Sequence, residues 1–287
     1  MSLQQVSQHV HVETEKLGSN NSIVVGTEGL ALVDTPHRPT DAIAWRSVVD
    51  RFGRTRFVVN TDHHPDHTIG NFWMGGEVVS HRGTRERLLA DAPDHDYLGR
   101  LFSRIDPDAV ALLDQYSVRV PTVVFGDRLD LHLGDVHLEL TFQPGHTANS
   151  LIAYLPEDGV VFTGDIVCEA GLPSFQDSRL WNWFDAIEKV AAYEFDVLVP
   201  GHGEVADRTV LERYRQWGRE VVGRVAEAIG RGDDREKASS EIRFADNIHV
   251  DTDHYVGYPD DLIEMFQRRS VARIYDDLLE RPDLSSR

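Results

Sequence analysis

Six consecutive residues, 62–67, combine two aspartates with three histidines in the sequence Asp-His-His-Pro-Asp-His. Imidazole nitrogens and carboxylate oxygens are the usual protein ligands of Zn(II) and related ions. In an extended turn, residues i, i+2 and i+4 can face the same way, and here these are Asp62, His64 and Asp66, with His67 adjacent. One histidine alone would indicate only a hydrogen-bonded core residue, but this density of ligand types predicts a metal site.

Three further ligand types each follow an apolar stretch that is typical of a strand. His146 lies in the sequence Gln-Pro-Gly-His-Thr, Asp165 in Phe-Thr-Gly-Asp, and His202 in Val-Pro-Gly-His-Gly. Strand ends gather at one edge of a sheet, so these segments can converge with residues 62–67. The repeated pattern predicts one metal cluster built from four separate parts of the chain.

Apolar and alternating runs predict the elements that would position these residues. In the first half they predict strands at 22–25, 30–33 and 57–59 and helices at 41–51 and 82–90. The first of these helices is expected to be capped by Thr40 or Asp41. Helical pieces are expected between 92 and 120. In the second half they predict strands at 128–133, 136–142, 151–154, 160–162 and 196–199 and a helix at 181–192. Two such halves predict two sheets with helices outside them.

After residue 205 the apolar positions recur only at steps of three and four, which indicates helices. One helix is expected to end at Gly230, and a second to begin near Pro259. We therefore predict a main domain over residues 1–205 and a helical C-terminal extension over 206–287 that packs on it.

Composition narrows the classes of partner. The net charge is −19, from 48 acidic and 29 basic residues, which disfavours nucleic acid. The sequence has no apolar run long enough for a membrane span and no export signal, and its single cysteine, Cys168, excludes an intrachain disulfide. These features predict a cytoplasmic protein that acts on a small molecule, without nucleic acid or membrane partners. A homodimer is left open.

The order of the ligand segments resembles that of the metallo-β-lactamase superfamily, over about residues 10–205. The family hallmark is His-x-His-x-Asp-His, followed by a single His, a single Asp and a final His. The resemblance implies an α/β fold of the αββα four-layer sandwich type. It also implies that Asp34, in Leu-Val-Asp-Thr, matches a buried structural aspartate of the family rather than a ligand.

The resemblance further implies two divalent metal ions. The first would be held by Asp62, His64 and His146, and the second by Asp66, His67 and His202. Asp165 would bridge the two ions, and Asp66 would also be catalytic by orienting the attacking hydroxide and shuttling its proton. Zinc is the favoured metal, with manganese or iron also compatible.

One residue departs from the hallmark, because Asp62 stands where the family has its first histidine. A carboxylate is a harder, anionic ligand, which favours tolerance of Mn(II) or Fe(II) beside Zn(II). Alternatively the exchange could empty the first site and leave one metal. His63 could replace Asp62 as a ligand, although its side chain is expected to point the other way.

These observations predict a metallohydrolase that uses a metal-bound hydroxide on a small-molecule ester, lactone, thioester, amide or similar bond. The alternatives are a mononuclear iron dioxygenase of the persulfide dioxygenase kind and a non-catalytic metal-binding or sensing relative. His81 is expected at a helix start and Cys168 as a packed thiol. The polar segment from His249 to His254 is expected to be a surface loop.

Overall fold

Two sheets form the centre of the computed structural model, which describes residues 3–169, 175–243 and 260–286. The first sheet has seven strands in chain order: β1 (Gln4–Gln5), β2 (Val10–Glu13), β3 (Asn21–Gly26), β4 (Gly29–Val33), β5 (Thr55–Val59), β6 (Glu77–His81) and β7 (Val123–Phe125). Neighbours from β1 to β4 are antiparallel, whereas those from β4 to β7 are parallel. The carboxyl ends of β4, β5 and β6 therefore lie at one edge.

The second sheet has five strands: β8 (Arg128–His132), β9 (His137–Phe142), β10 (Leu151–Leu155), β11 (Val160–Cys168) and β12 (Val197–His202). The spatial order is β12-β11-β10-β9-β8, and only β11 and β12 pair in parallel. Leu151, at the start of β10, donates its backbone N–H to the Thr61 carbonyl at 2.9 Å. This bond ties the second sheet to the segment that follows β5.

Helices cover the outer face of each sheet. They are α1 (Pro39–Val49), α2 (Pro65–Thr68), α3 (Arg82–Ala90), α4 (His95–Ile105), α5 (Leu180–Ala191), α6 (Thr209–Gly230), α7 (Arg235–Glu241) and α8 (Asp260–Glu280). One buried core lies between the sheets, a second lies under α1, and a third joins β11 to α5, α6 and α8. The molecule is thus the four-layer αββα sandwich with C-terminal helices that the sequence predicted.

Several elements differ from their predicted bounds for local reasons. α1 begins at Pro39, because proline fits the first turn of a helix, and no side chain caps it, contrary to the cap predicted at Thr40 or Asp41. β11 and β12 are longer than predicted, so Asp165 and His202 lie within strands rather than after them. β1, β2 and α7 are short elements that the periodicity analysis did not identify.

The C-terminal helices share a core with the second sheet. Val225 of α6 and Val271 of α8 are fully buried in the cluster that contains Ile166 of β11. Leu198 and Ala206 form an isolated antiparallel bridge across the predicted 205/206 boundary. Helices from 206 onward therefore pack directly on the main body, while the position of the boundary itself stays a prediction.

Candidate metal centre

Side-chain hydrogen bonds fix the backbone of the segment that follows β5. The buried carbonyl of His67 accepts hydrogen bonds from the Thr35 hydroxyl at 2.9 Å and from the Asn60 side-chain amide at 2.8 Å. The Thr68 hydroxyl donates to the His64 carbonyl at 2.9 Å. Pro65 starts the short helix α2, in which His67 is fully buried. These contacts fix the backbone from which the candidate ligands project.

Asp62, His64 and His146 form the first ligand group. His64 Nδ1 lies 3.3 Å from Asp62 Oδ2 and 3.0 Å from His146 Nε2. The two oxygens of Asp62 have different roles, because Oδ1 accepts the backbone N–H of His64 at 2.8 Å while Oδ2 faces the two imidazoles. The carboxylate therefore holds the turn and still directs one oxygen into the group.

Asp66, His67, His202 and Asp165 form the second group. His202 Nε2 lies 3.2 Å from Asp66 Oδ2 and 3.3 Å from Asp165 Oδ2, and His67 Nε2 lies 3.3 Å from Asp165 Oδ1. Asp165 Oδ2 is also 3.5 Å from His146 Nε2 of the first group. Asp165 thus contacts both groups, and all seven predicted ligands come together.

Two glycines allow β11 and β12 to place their ligands. Gly164 adopts φ +48° beside Thr61, where an added Cβ would lie 2.5 Å from the Thr61 hydroxyl oxygen. At Gly201 an added Cβ would lie only 1.9 Å from Asp165 Oδ1, so only glycine lets the two strands approach here. The Asn20 side chain donates to the carbonyls of Pro200 and Gly203 at 2.9 and 2.8 Å, which fixes the backbone on both sides of His202.

Asp34 contacts and orients His67 of the second ligand group. It adopts φ +58°, which is rare for a residue with a side chain, and accepts from the backbone and the hydroxyl of Thr61 at 2.8 and 2.7 Å. Its Oδ2 also lies 2.9 Å from His67 Nδ1. A carboxylate on Nδ1 keeps the proton there and leaves Nε2 free to bind a metal. Its position agrees with the predicted structural role.

Burial and the neighbouring charges shift the pKa values of the cluster residues in opposite directions. Burial by itself would raise the pKa of Asp62, but the neighbouring His64 and His67 lower it well below its ordinary value. Burial would lower the pKa of His202, yet the carboxylates of Asp165 and Asp66 raise it to about 10. The pKa of Asp165 is likewise lowered against its burial by His202 and His67. Without metal, protons on His64, His67 and His202, whose pKa values are raised, balance the buried carboxylates.

The buried ligand atoms of the two groups are better placed to bind a metal ion than to hydrogen-bond with one another. Among the described residues, Asp62 Oδ2, His67 Nε2 and Asp165 Oδ1 make no hydrogen bond although all three are inaccessible to solvent. Buried polar atoms normally have a partner, so atoms that converge without bonding indicate a missing ligand. Imidazole nitrogens and carboxylate oxygens suit Zn(II), and the three carboxylates also suit harder divalent ions.

The sequence analysis missed Asp177, which lies beside His64. Its Oδ2 is 3.1 Å from His64 Nε2, and the charge and hydrogen bond of His64 lower the pKa of Asp177 to about 2. No motif marks this residue, since it is brought to the site from a segment 113 positions away. This contact with Nε2 orients the His64 ring so that Nδ1 faces Asp62 and His146.

His63 lies beside His64 and Asn149, outside both main ligand groups. Its ring lies 4.6 Å from that of His64, and its Nδ1 is 3.2 Å from Asn149 Oδ1. His63, His64 and Asp177 form a further set of potential ligand atoms, although His63 belongs to neither main group. The Asn149 amide, which no motif identified, accounts for the orientation.

The secondary candidates have structural positions. His81 caps α3 through the Gly83 N–H and stacks on Phe142, and Cys168 is a buried thiol. Arg213 and Arg215 of α6 pair with Glu169 and Glu188. The segment from His249 to His254 lies outside the described residues. In the part of the chain that the structure covers, no helix is long and apolar enough to cross a membrane.

Comparisons with known proteins agree with this geometry. A family model described as the metallo-beta-lactamase superfamily matches residues 15–202, which include all seven candidate ligands. The chain belongs to that superfamily.

Named relatives differ in their activities. The chain is 24% identical to a linear primary-alkylsulfatase of Pseudomonas sp., over 90% of this chain and 55% of that protein. It is 30% identical to a hydroxyacylglutathione hydrolase of Brucella ovis, over 64% of this chain and 62% of that protein. The chain thus spans little more than half the length of these relatives.

Solved structures show the same fold. A metallo-beta-lactamase from Pontibacter korlensis superposes with a TM-score of 0.59 at 22% identity, covering 75% of this chain and 97% of that one. The DIM-1 metallo-beta-lactamase superposes with a TM-score of 0.59 at 17% identity, covering 76% of this chain and 97% of that one.

Proposed function

We propose that the protein is a dinuclear metallohydrolase that cleaves an ester, lactone, thioester, amide or similar bond in a small molecule. The observation that carries this proposal is the position of Asp165, whose oxygens lie 3.3–3.5 Å from His67 and His202 on one side and His146 on the other. A carboxylate shared by two ligand groups suits a pair of ions rather than one. This arrangement also disfavours the mononuclear dioxygenase.

Each residue has a defined role in this proposal. Asp62, His64 and His146 would hold one ion, Asp66, His67 and His202 the other, and Asp165 both. Two bound divalent ions would supply Lewis acidity and lower the pKa of water towards neutrality. Asp66 is half-buried and its pKa is lowered against its burial by His67 and His202, so its carboxylate is ionised. In this proposal it also orients the attacking hydroxide and shuttles its proton. Asp34 and Asp177 orient His67 and His64.

Metal analysis tests the proposal most directly. We expect about two transition-metal ions per chain after purification without added metal, with zinc favoured and manganese or iron accepted. Activity should be measured on chromogenic esters, lactones and thioesters before and after chelation. A folded protein that remains active with no tightly held metal would contradict the proposal.

His202→Ala separates the metal role from folding. The variant should lose metal and activity together, because His202 contacts both Asp66 and Asp165. Its circular dichroism should stay unchanged. His132→Ala is a matched control, because His132 is an exposed histidine on β8, outside both groups. Full activity of His202→Ala would show that β12 does not contribute to the site.

A further inference from the structure

A cavity of about 550 Å³ is lined by ten residues, of which five are arginines and one is Asp177. Asp177 also lies 3.1 Å from Nε2 of His64, so this one residue separates the cavity from the first ligand group. The lining has only two carboxylates, Asp177 and Glu236, but five arginines: Arg87, Arg235, Arg268, Arg269 and Arg273. Such an excess of positive charge is unexpected in a chain with a net charge of −19.

Three of these arginines already have carboxylate partners. Arg87 pairs with Asp91 at 2.7 Å, Arg235 with Asp276 at 2.9 Å, and Arg268 with Glu264 at 3.0 Å. They therefore contribute little net attraction for an added anion.

Arg269 and Arg273 differ from the other three. Within the described residues they pair with no carboxylate, and each makes only a long hydrogen bond to Gln176, at 3.5 Å and 3.3 Å. They are four residues apart on α8, so their side chains lie on the same face of the helix. Gln176 directly precedes Asp177, which places both guanidinium groups beside the residue that holds His64.

We propose that Arg269 and Arg273 bind an anionic group of the substrate, a carboxylate, sulfate or phosphate, remote from the bond that is cleaved. Guanidinium groups bind such oxyanions through paired charge-assisted hydrogen bonds, and the shared face of α8 places two of them together. Both residues lie outside the 15–202 segment that matches the family, so this selectivity belongs to the C-terminal helices of this chain. The inference rests on the proposed hydrolase function.

Paired substrates test this selectivity. Mono-4-nitrophenyl adipate carries a remote carboxylate, and 4-nitrophenyl hexanoate is a neutral ester of the same chain length. Arg269→Gln and Arg273→Gln should each lower the kcat/KM for the adipate ester relative to the hexanoate ester by about tenfold, mainly through KM. Arg268→Gln is the control, since Arg268 is adjacent in sequence and paired with Glu264. An unchanged preference in the Arg269 and Arg273 variants, or an equal change in Arg268→Gln, would overturn the inference.

A binding measurement distinguishes failure of this inference from failure of the proposed function. Calorimetric titration of the metal-loaded protein with the adipate dianion needs no turnover. Weaker binding in Arg269→Gln/Arg273→Gln than in the parent and in Arg268→Gln, at equal metal content, would support the anion site even if no ester is hydrolysed. Equal binding in all three proteins would refute the site, whatever the hydrolase assays show.

Discussion

Asp62 is the residue at which this chain departs from its family, and the structure gives it two tasks. One oxygen accepts the His64 N–H, which stabilises the turn, and the other faces His64 and His146. A histidine at this position would not add a negative charge to the ligand set. With Asp66 and Asp165, the ligand set contains three carboxylates. We infer that this charge favours harder metal ions than a histidine-rich site would.

Substitution of Asp62 tests this inference. Asp62→Ala should weaken the binding of one metal ion, and Asp62→His should restore binding but shift the preference from Mn(II) or Fe(II) towards Zn(II). The pH at which activity rises should be lower in Asp62→His, because an anionic ligand reduces the acidity of the bound ion. Metal titrations and pH–rate profiles measure both effects.

The control for this experiment is Asp50→Ala, since Asp50 is an exposed carboxylate that pairs only with Arg46 in the described structure. That variant should bind both ions normally. Were Asp62→Ala to bind two ions as tightly as the parent, Asp62 would not be a ligand, and His63 would have to be considered in its place.

At the scale of elements, α8 caps α5. Asp277 of α8 is fully buried and accepts from the backbone N–H of Leu180, the first residue of α5, at 2.7 Å. It also accepts from Arg179 at 2.8 Å. α5 has no cap from its own sequence, so a residue 97 positions away satisfies its first N–H. The C-terminal extension therefore completes the helix that packs on β11.

Removal of that cap should be costly. Asp277→Ala leaves the buried Leu180 N–H without a partner, and we expect the free energy of unfolding to fall by about 2–4 kcal/mol. The neighbouring Asp276→Ala removes only an exposed pair with Arg235 and should cost less than about 1 kcal/mol. Denaturant unfolding of both variants at equal metal content measures the difference. Equal losses would show that the capping contact contributes nothing.

At the scale of the whole molecule, stability should depend on metal and pH together. The pKa of His202 is raised from 6.5 to about 10, and the pKa values of His64 and His67 are also raised above 6.5. A group whose pKa is raised on folding stabilises the metal-free protein fully below its unfolded pKa and loses that contribution as pH rises through its folded pKa. The metal-free protein should therefore lose stability between about pH 6.5 and pH 10.

Bound metal should change this pH dependence. Bound ions would replace the protons that balance the buried carboxylates, so the loaded protein would not need His202 in its charged form. The stability difference between loaded and chelated protein should grow as pH rises from 6.5 towards 10. Unfolding in denaturant with metal or with chelator, at several pH values in that range, measures this difference. A difference that is constant or shrinks would contradict the assignment of these histidines as ligands.

The sequence by itself determined the chemistry-bearing residues and most of the elements. The spacing of residues 62–67 and the apolar runs that precede His146, Asp165 and His202 predicted a cluster, and the structure brings all seven candidate ligands together. The bounds predicted for α3 and for the hairpin of β8 and β9 agree closely with the structure. These features are local, because the side-chain period of a strand or helix and the residues at its end are written within one short segment.

Only the tertiary structure decided how those residues are supported. Contacts between parts of the chain that lie far apart in sequence include Asp177 beside His64, Asn149 beside His63, Asp277 on α5, and Arg269 and Arg273 beside Gln176. A carboxylate, an amide or an arginine in a polar segment looks the same whether it faces solvent or a site. Its role depends on which other segment the fold packs against it, and that contact has no periodicity by which a single sequence could reveal it.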